Sequence, residues 1–259
     1  MGFWEPHSSS VDFCEPNYLL SEYIAEPHNV WSSLFITVIG MVGFFYGNPL
    51  NELSVSAMYI ILAVIGLGSA GQHTTLHWFY QSSDEVPMLW QILTFLHMLY
   101  ITNISKNKNS SAPGYAFIGI AVLQTVLYYR FQQIYAVFLA SMVVYSTIII
   151  VGTHSLVYTT NKEHRRLRLK VHYWAVFSYL IFGVALWVID MNLCSYLTPL
   201  YVRVSGFTLH VFWHIFAGIG SYLTATNLTI MRLQEMGHKV DLKFVGFLPV
   251  PRIVKTSHD

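Results

Sequence analysis

Charge is what this chain has least of. Lys, Arg, Asp and Glu together make up 10% of its 259 residues, against about a quarter in a soluble domain. That deficit, beside 54% hydrophobic residues, excludes an ordinary soluble globule and predicts a polytopic membrane protein, with the lipid bilayer as its surroundings. A net charge of +1 and the lack of any basic–aromatic stripe argue against a nucleic-acid partner. Nothing in the pattern points to a protein partner. Lys and Arg are missing altogether from residues 1–29, which carry Glu5, Asp12, Glu15, Glu22 and Glu26 instead. This stretch has no apolar run either, so no cleavable signal peptide is expected and the first spanning helix is expected to act as the signal. Sequence repeats and low-complexity tracts are also missing. The expected organisation is one all-α domain, a seven-transmembrane-helix bundle over residues 30–231. It is flanked by an acidic extension, 1–29, and a basic tail, 232–259.

What is present is a series of apolar segments of spanning length. They cover residues 30–46, 55–77, 86–101, 115–129, 134–151, 172–189 and 204–231. Lys and Arg concentrate in the linker after the third segment (Lys106, Lys108), in the linker after the fifth (Lys162 to Lys170) and in the tail (Arg232, Lys239, Lys243). The positive-inside rule then sets these on the cytosolic side, with the N-terminus lumenal and the C-terminus cytosolic. Cys14, in the extension, and Cys194, in the linker between segments six and seven, both fall on the oxidising side, and a Cys14–Cys194 bridge is predicted. The sequons at Asn103 and Asn109 fall on the cytosolic side and are expected to carry no glycan.

Against this apolar background the histidines stand out. His210 and His214 lie four apart in the last segment, on one helical face, where two imidazoles can grip one transition-metal ion. A third ligand from elsewhere would leave a position open for water, the arrangement of a catalytic zinc site. An ionisable residue inside a membrane is by default a candidate functional residue. The second segment runs toward the lumen and ends with Ser69, His73 and His77. Asp84 and Glu85 follow in a short lumenal turn or at the start of the third helix. Separate parts of the chain thus deliver a hydroxyl, a carboxylate and three imidazoles to one leaflet. His73 and His77 are themselves four apart, so spacing does not choose between them. Ser69 shares the His73 face, yet it also suits a helix-packing hydrogen bond among Gly66, Gly68, Ala70 and Gly71. Asp84 fits a general base or an ordinary interfacial carboxylate ahead of Pro87. The turn Asp12-Phe13-Cys14-Glu15-Pro16-Asn17, with Glu26 beyond it, is oxygen-rich without the spacing of an EF-hand. Composition alone reads it as a solvated acidic tail.

Several stretches together resemble the alkaline ceramidases, within the larger group that includes the adiponectin-receptor-type membrane hydrolases. They are Asp12 to Asn17 with Tyr23-Ile24-Ala25-Glu26, Gly68 to His73 with Asp84-Glu85-Val86-Pro87-Met88, Trp187-Val188-Ile189-Asp190 with Cys194, and His210 to Ile215 with Gly218 and Gly220-Ser221-Tyr222. The resemblance implies an intramembrane zinc amidase of the endoplasmic reticulum or Golgi that splits ceramide into a sphingoid base and a fatty acid. It implies zinc on His73, His210 and His214, Asp84 as general base and acid, and Ser69 as stabiliser of the oxyanion. It also implies calcium bound by Asp12, Glu15, Asn17 and Glu26 through side chains and by the Phe13 carbonyl. Phe13 stands where the family commonly has tryptophan, and Pro16 removes one N–H from the turn. The other readings are a zinc-containing seven-helix receptor or sensor of the adiponectin-receptor type, and a metal or proton transporter. A transporter should carry polar residues through the full depth of a pathway, and here they gather in one leaflet.

Overall fold

The structure, a computed structural model, describes residues 2–103, 112–158, 162–246 and 248–256. Its helices are α1 (Pro27–Tyr46), α2 (Leu53–Thr75), α3 (Trp78–Asn103), α4 (Ala112–Phe131), α5 (Tyr135–Tyr158), α6 (Lys162–Val176), α7 (Ala185–Arg203) and α8 (Leu209–Glu235). A π-helical stretch, Phe177–Val184, joins α6 to α7, so the two form one rod. Among the described residues, five helical stretches are long and apolar enough to cross a membrane: α1, α2, α4, α5 and the rod from His164 to Arg203. The two long helices outside that group, α3 and α8, carry Asp84 and the pair His210 and His214, while Ser69 and His73 lie on α2.

Boundaries differ from the sequence expectations in three places, each for a local reason. Helix α3 begins eight residues before 86, at Trp78, so Asp84 and Glu85 lie inside a helix and not in a turn ahead of it. The basic stretch after α5 is helical and continuous with the sixth span. Cys194, expected in a linker, therefore sits within α7. The tail is not a free basic segment. After α8 it forms an antiparallel hairpin, β1 (Lys239–Phe244) with β2 (Pro251–Thr256). The hairpin docks on the bundle: Val250 and Ile253 are buried, and the Tyr222 hydroxyl donates to the Pro251 carbonyl at 2.7 Å. Alternating Val240, Leu242 and Phe244 between polar residues was the missed period-2 signal. Lys106, Lys108 and all of both sequons except Asn103 lie outside the described residues.

The core runs between α1, α2, α3 and α8, around Ile39, Tyr59, Met98 and Leu228. Small residues set how closely α2 is held. A Cβ on Gly66 would come 2.4 Å from the Thr37 nitrogen of α1. One on Gly68 would come 2.0 Å from the Ser83 carbonyl oxygen of α3. Only glycine permits such approach of backbone to backbone. Helices α4 and α5 instead leave Ile118, Val122, Val143 and Ile148 exposed, the surface expected where hydrocarbon is the neighbour.

Candidate metal centre

Helix α2 ends where Leu76 takes a left-handed conformation, φ 51°. Two N–H groups of the extension, those of Ser8 and Ser9, hold the Leu76 carbonyl at 3.0 Å each. That break separates the two histidines between which spacing could not choose. His77 falls beyond the helix and its Nε2 lies 2.8 Å from the Trp4 carbonyl. His73 stays inside the helix and turns into the bundle. There it meets His210 and His214 of α8. One nitrogen from each of the three lies within 4.8 Å of the others, and all three residues are buried. Among the described residues this is the one group of three or more His, Cys, Asp or Glu ligands so close together, and it could hold a metal ion.

The neighbours prepare these rings for a cation. The Glu26 carboxylate pairs with His73 Nδ1, which leaves Nε2 buried and without a partner. His214 Nδ1 lies 2.7 Å from the Ser32 hydroxyl. The Ser32 oxygen also lies 3.0 Å from the His28 carbonyl and 3.1 Å from that of Asn29; with its proton on either carbonyl, the imidazole donates through Nδ1 and its Nε2 keeps a lone pair. His210 Nδ1 is buried and unpartnered as well. A carboxylate or hydroxyl behind a ring nitrogen is the usual second layer of a metal site. Orphaned nitrogens on two converging rings fit an ion better than a satisfied core. Neither Glu26 nor Ser32 was assigned this position from sequence. The available signal was a cluster of polar residues, Asn29, Ser32 and Ser33, on an otherwise apolar helix.

Ser69 lies one turn before His73. Its hydroxyl is 2.9 Å from that of Ser33 and 3.4 Å from His214 Nε2, and the Asp84 carboxyl lies beside it. Gly68 makes this meeting possible. The backbone of α3 at Ser83 and Asp84 fills the space a side chain would take: an added Cβ would also come 2.8 Å from the Asp84 nitrogen. Gly68→Ala is therefore expected to push α3 outward, cost about 1–3 kcal/mol through overpacking, and lower turnover. Thermal unfolding and hydrolysis rates of the variant check both parts.

The extension closes over the histidines. The Phe13 ring lies 4.1 Å from the His210 ring and 5.1 Å from that of His73, centroid to centroid. Of the expected calcium ligands, Asn17 Nδ2 lies 3.3 Å from both Asp12 oxygens. Glu15 takes the His28 and Asn29 N–H groups at 2.8 and 2.9 Å, capping α1 from outside. Burial pushes the Glu15 carboxyl up to about 7, partly offset by those two donors. Glu26 Oε1 and Asn17 Oδ1 are buried without partners. Two orphaned oxygens among three carboxylates, in a segment with no Lys or Arg, suit a hard cation. Cys14 and Cys194 stand side by side, their Cα atoms 5.4 Å apart, within disulfide reach.

The family model described as Ceramidase matches residues 5–254. The chain belongs to the ceramidase family. An alkaline ceramidase of Arabidopsis thaliana is 30% identical over 98% of this chain and 96% of its own. Alkaline ceramidase 3 of Mus musculus is 27% identical over 94% and 91%. Alkaline ceramidase YPC1 of Saccharomyces cerevisiae is 25% identical over 94% and 83%. Family membership thus extends from the acidic extension through the hairpin, and every candidate ligand and catalytic residue falls within the matched span.

Proposed function

We propose that this ceramidase-family protein is a membrane amidase that hydrolyses ceramide to a sphingoid base and a free fatty acid. The observation that carries the reading is the buried three-histidine cluster with a hydroxyl and a carboxyl at its edge. Zinc is the metal that best suits three imidazoles and an open position, with His73, His210 and His214 holding it. Bound there, it supplies an activated water and polarises the amide carbonyl. The chain's own groups do the rest. Asp84 accepts a proton from the attacking water, whose oxygen bonds to the carbonyl carbon. It then returns the proton to the amide nitrogen as the C–N bond breaks. Ser69 donates its hydroxyl to the carbonyl oxygen as negative charge develops. Phe13 covers the cluster from the aqueous side, which directs the lipid to enter between helices.

Calcium held by Asp12, the Phe13 carbonyl, Glu15, Asn17 and Glu26 would brace the extension, with a Cys14–Cys194 disulfide as a second tie. Because Glu26 also pairs with His73, bracing there reaches the catalytic cluster. The proposed topology has seven spans, with α3 and α8 crossing inside the bundle and the histidine end facing the lumen of the endoplasmic reticulum or Golgi. The receptor reading has no comparable support, since a signalling site needs neither the Ser69 hydroxyl nor the Asp84 carboxyl beside the cluster.

The test is purified protein with ceramide in detergent, assayed for released fatty acid with and without a zinc chelator and beside His210→Ala. Activity that vanishes in both and returns on zinc addition to the wild type supports the reading. Release that persists in His210→Ala overturns it. In the same assay Asp12→Ala is expected to lower activity while zinc content stays unchanged, and full wild-type activity in calcium-free buffer would count against the calcium site.

A further inference from the structure

Helix α8 delivers two of the three imidazoles, and its own first residues do little to fix it. The Thr208 N-cap makes no side-chain capping bond, and its hydroxyl is buried without a partner. A helix start so placed leaves N–H groups to be satisfied from elsewhere. The first of them is met from α7. The Leu209 N–H lies 3.5 Å from the Tyr201 hydroxyl and beside the Asp190 carboxyl. Tyr201 in turn donates to Asp190 Oδ1. Asp190 is fully buried, Tyr201 nearly so, and the second Asp190 oxygen has no partner.

This contact requires a bend. Asp190 and Tyr201 are eleven apart in sequence, which in a straight helix separates them by about 16 Å along the axis. The bend is there: Leu193 has non-helical angles, φ −110° and ψ 15°, and Pro199 interrupts the same helix. The kink folds the end of α7 back so that its tyrosine and its aspartate meet at the mouth of α8. A carboxylate at a helix N-terminus is electrostatically favoured. Here it sits one residue before His210. Nothing in the hydrolytic scheme uses this buried acid, and a buried acid with an orphaned oxygen calls for a role.

We infer that Asp190 is a positioning residue for the metal centre: through Tyr201 and the first N–H of α8 it sets where His210 and His214 present their nitrogens. The inference rests on the reading of the three histidines as a metal site. Its consequence is that zinc affinity, and not only fold stability, depends on Asp190. Asp190→Asn keeps the shape and an acceptor but loses the charge, and Tyr201→Phe loses the bridging hydroxyl. Both are close to isosteric, so they carry the test even if Asp190→Ala fails to fold. Gln91→Met serves as the control. It removes a buried bond from α3 to the Met58 carbonyl, 2.9 Å long, away from the start of α8.

The experiment measures zinc affinity of metal-stripped full-length protein in detergent by competition with a chromophoric chelator. The visible spectrum of the cobalt(II)-loaded protein reports ligand geometry, and thermal unfolding is followed without metal. Asp190→Asn and Tyr201→Phe are expected to bind zinc about 10-fold more weakly or worse, the scale of outer-layer partners, with an altered cobalt spectrum. Gln91→Met is expected to melt lower with unchanged zinc affinity and spectrum. Equal affinity and spectra in wild type, Asp190→Asn and Tyr201→Phe would overturn the inference and leave the metal site standing. Failure of the wild type to bind zinc or cobalt would overturn both.

Discussion

His73→Ala is expected to abolish ceramide hydrolysis, and His77→Ala to leave most of it intact. The two histidines are alike in type and spacing, so the contrast isolates geometry. His73 Nε2 is buried and unpartnered, and a His73 nitrogen lies within 4.8 Å of one from each of His210 and His214. His77 lies past the helix end and is occupied with the Trp4 carbonyl. Removing one of the three proposed ligands should forfeit both water activation and carbonyl polarisation. The loss of several kcal/mol of transition-state stabilisation corresponds to about 1,000-fold or more in rate. Zinc content should fall with it. His77→Ala should instead loosen the extension, lowering the unfolding temperature modestly at normal zinc stoichiometry. Rates and elemental analysis on the two purified variants check the pair. A dead His77→Ala beside an active His73→Ala would exchange their roles and sink the proposed site.

Asp84→Asn is the second large expected effect, and it differs in kind. The carboxyl is not among the three converging histidines; it stands beside Ser69 at the edge of the cluster. The amide retains the shape and can still accept a hydrogen bond from Ser69, but it cannot take and return a proton. Turnover should drop by about 100- to 10,000-fold, the usual contribution of positioned acid–base catalysis. Zinc content and substrate KM should stay near wild type. Loss of zinc together with activity would make Asp84 a ligand, and unchanged turnover would remove it from the mechanism. Ser69→Ala tests the neighbouring group in the same way, although its hydroxyl also lies 2.9 Å from Ser33, so part of its loss would be structural.

Much of this was visible before any fold was known. Low charge and apolar segments of spanning length announce a membrane protein, because hydrocarbon tolerates few charges. His210 and His214 announce a shared helical face, because 3.6 residues per turn brings positions four apart together. Acidic residues without Lys or Arg before position 30 read from composition as a solvated tail, and only the family resemblance turned them into an expected cation site.

Other features depend on chain segments far apart in sequence, which no local pattern encodes. Glu26 shows this best. Sequence and family resemblance assign it to the acidic turn, and the fold brings it 47 positions along the chain to His73. Ser32 reaches His214 across 182 positions, and no periodicity within α1 says which helix its hydroxyl will face. Hydropathy left Asp84 either in a turn or at the start of the third helix, and the helix in fact begins earlier, with Trp78-Phe79-Tyr80 and then polar residues that hydropathy discounts.

Composition and spacing by themselves determined the kind of molecule, the solvent it lives in and which side chains are too costly to bury without purpose. Those are properties of each residue and its near neighbours. Only the packed chain decided that His73 and not His77 meets the pair on α8, that Gly68 admits the backbone carrying Asp84 to Ser69, and that a kink at Leu193 brings Asp190 to the start of α8. Each of these turns on a helix ending, a backbone approach or a bend, where angstroms between distant segments govern what two groups can do together.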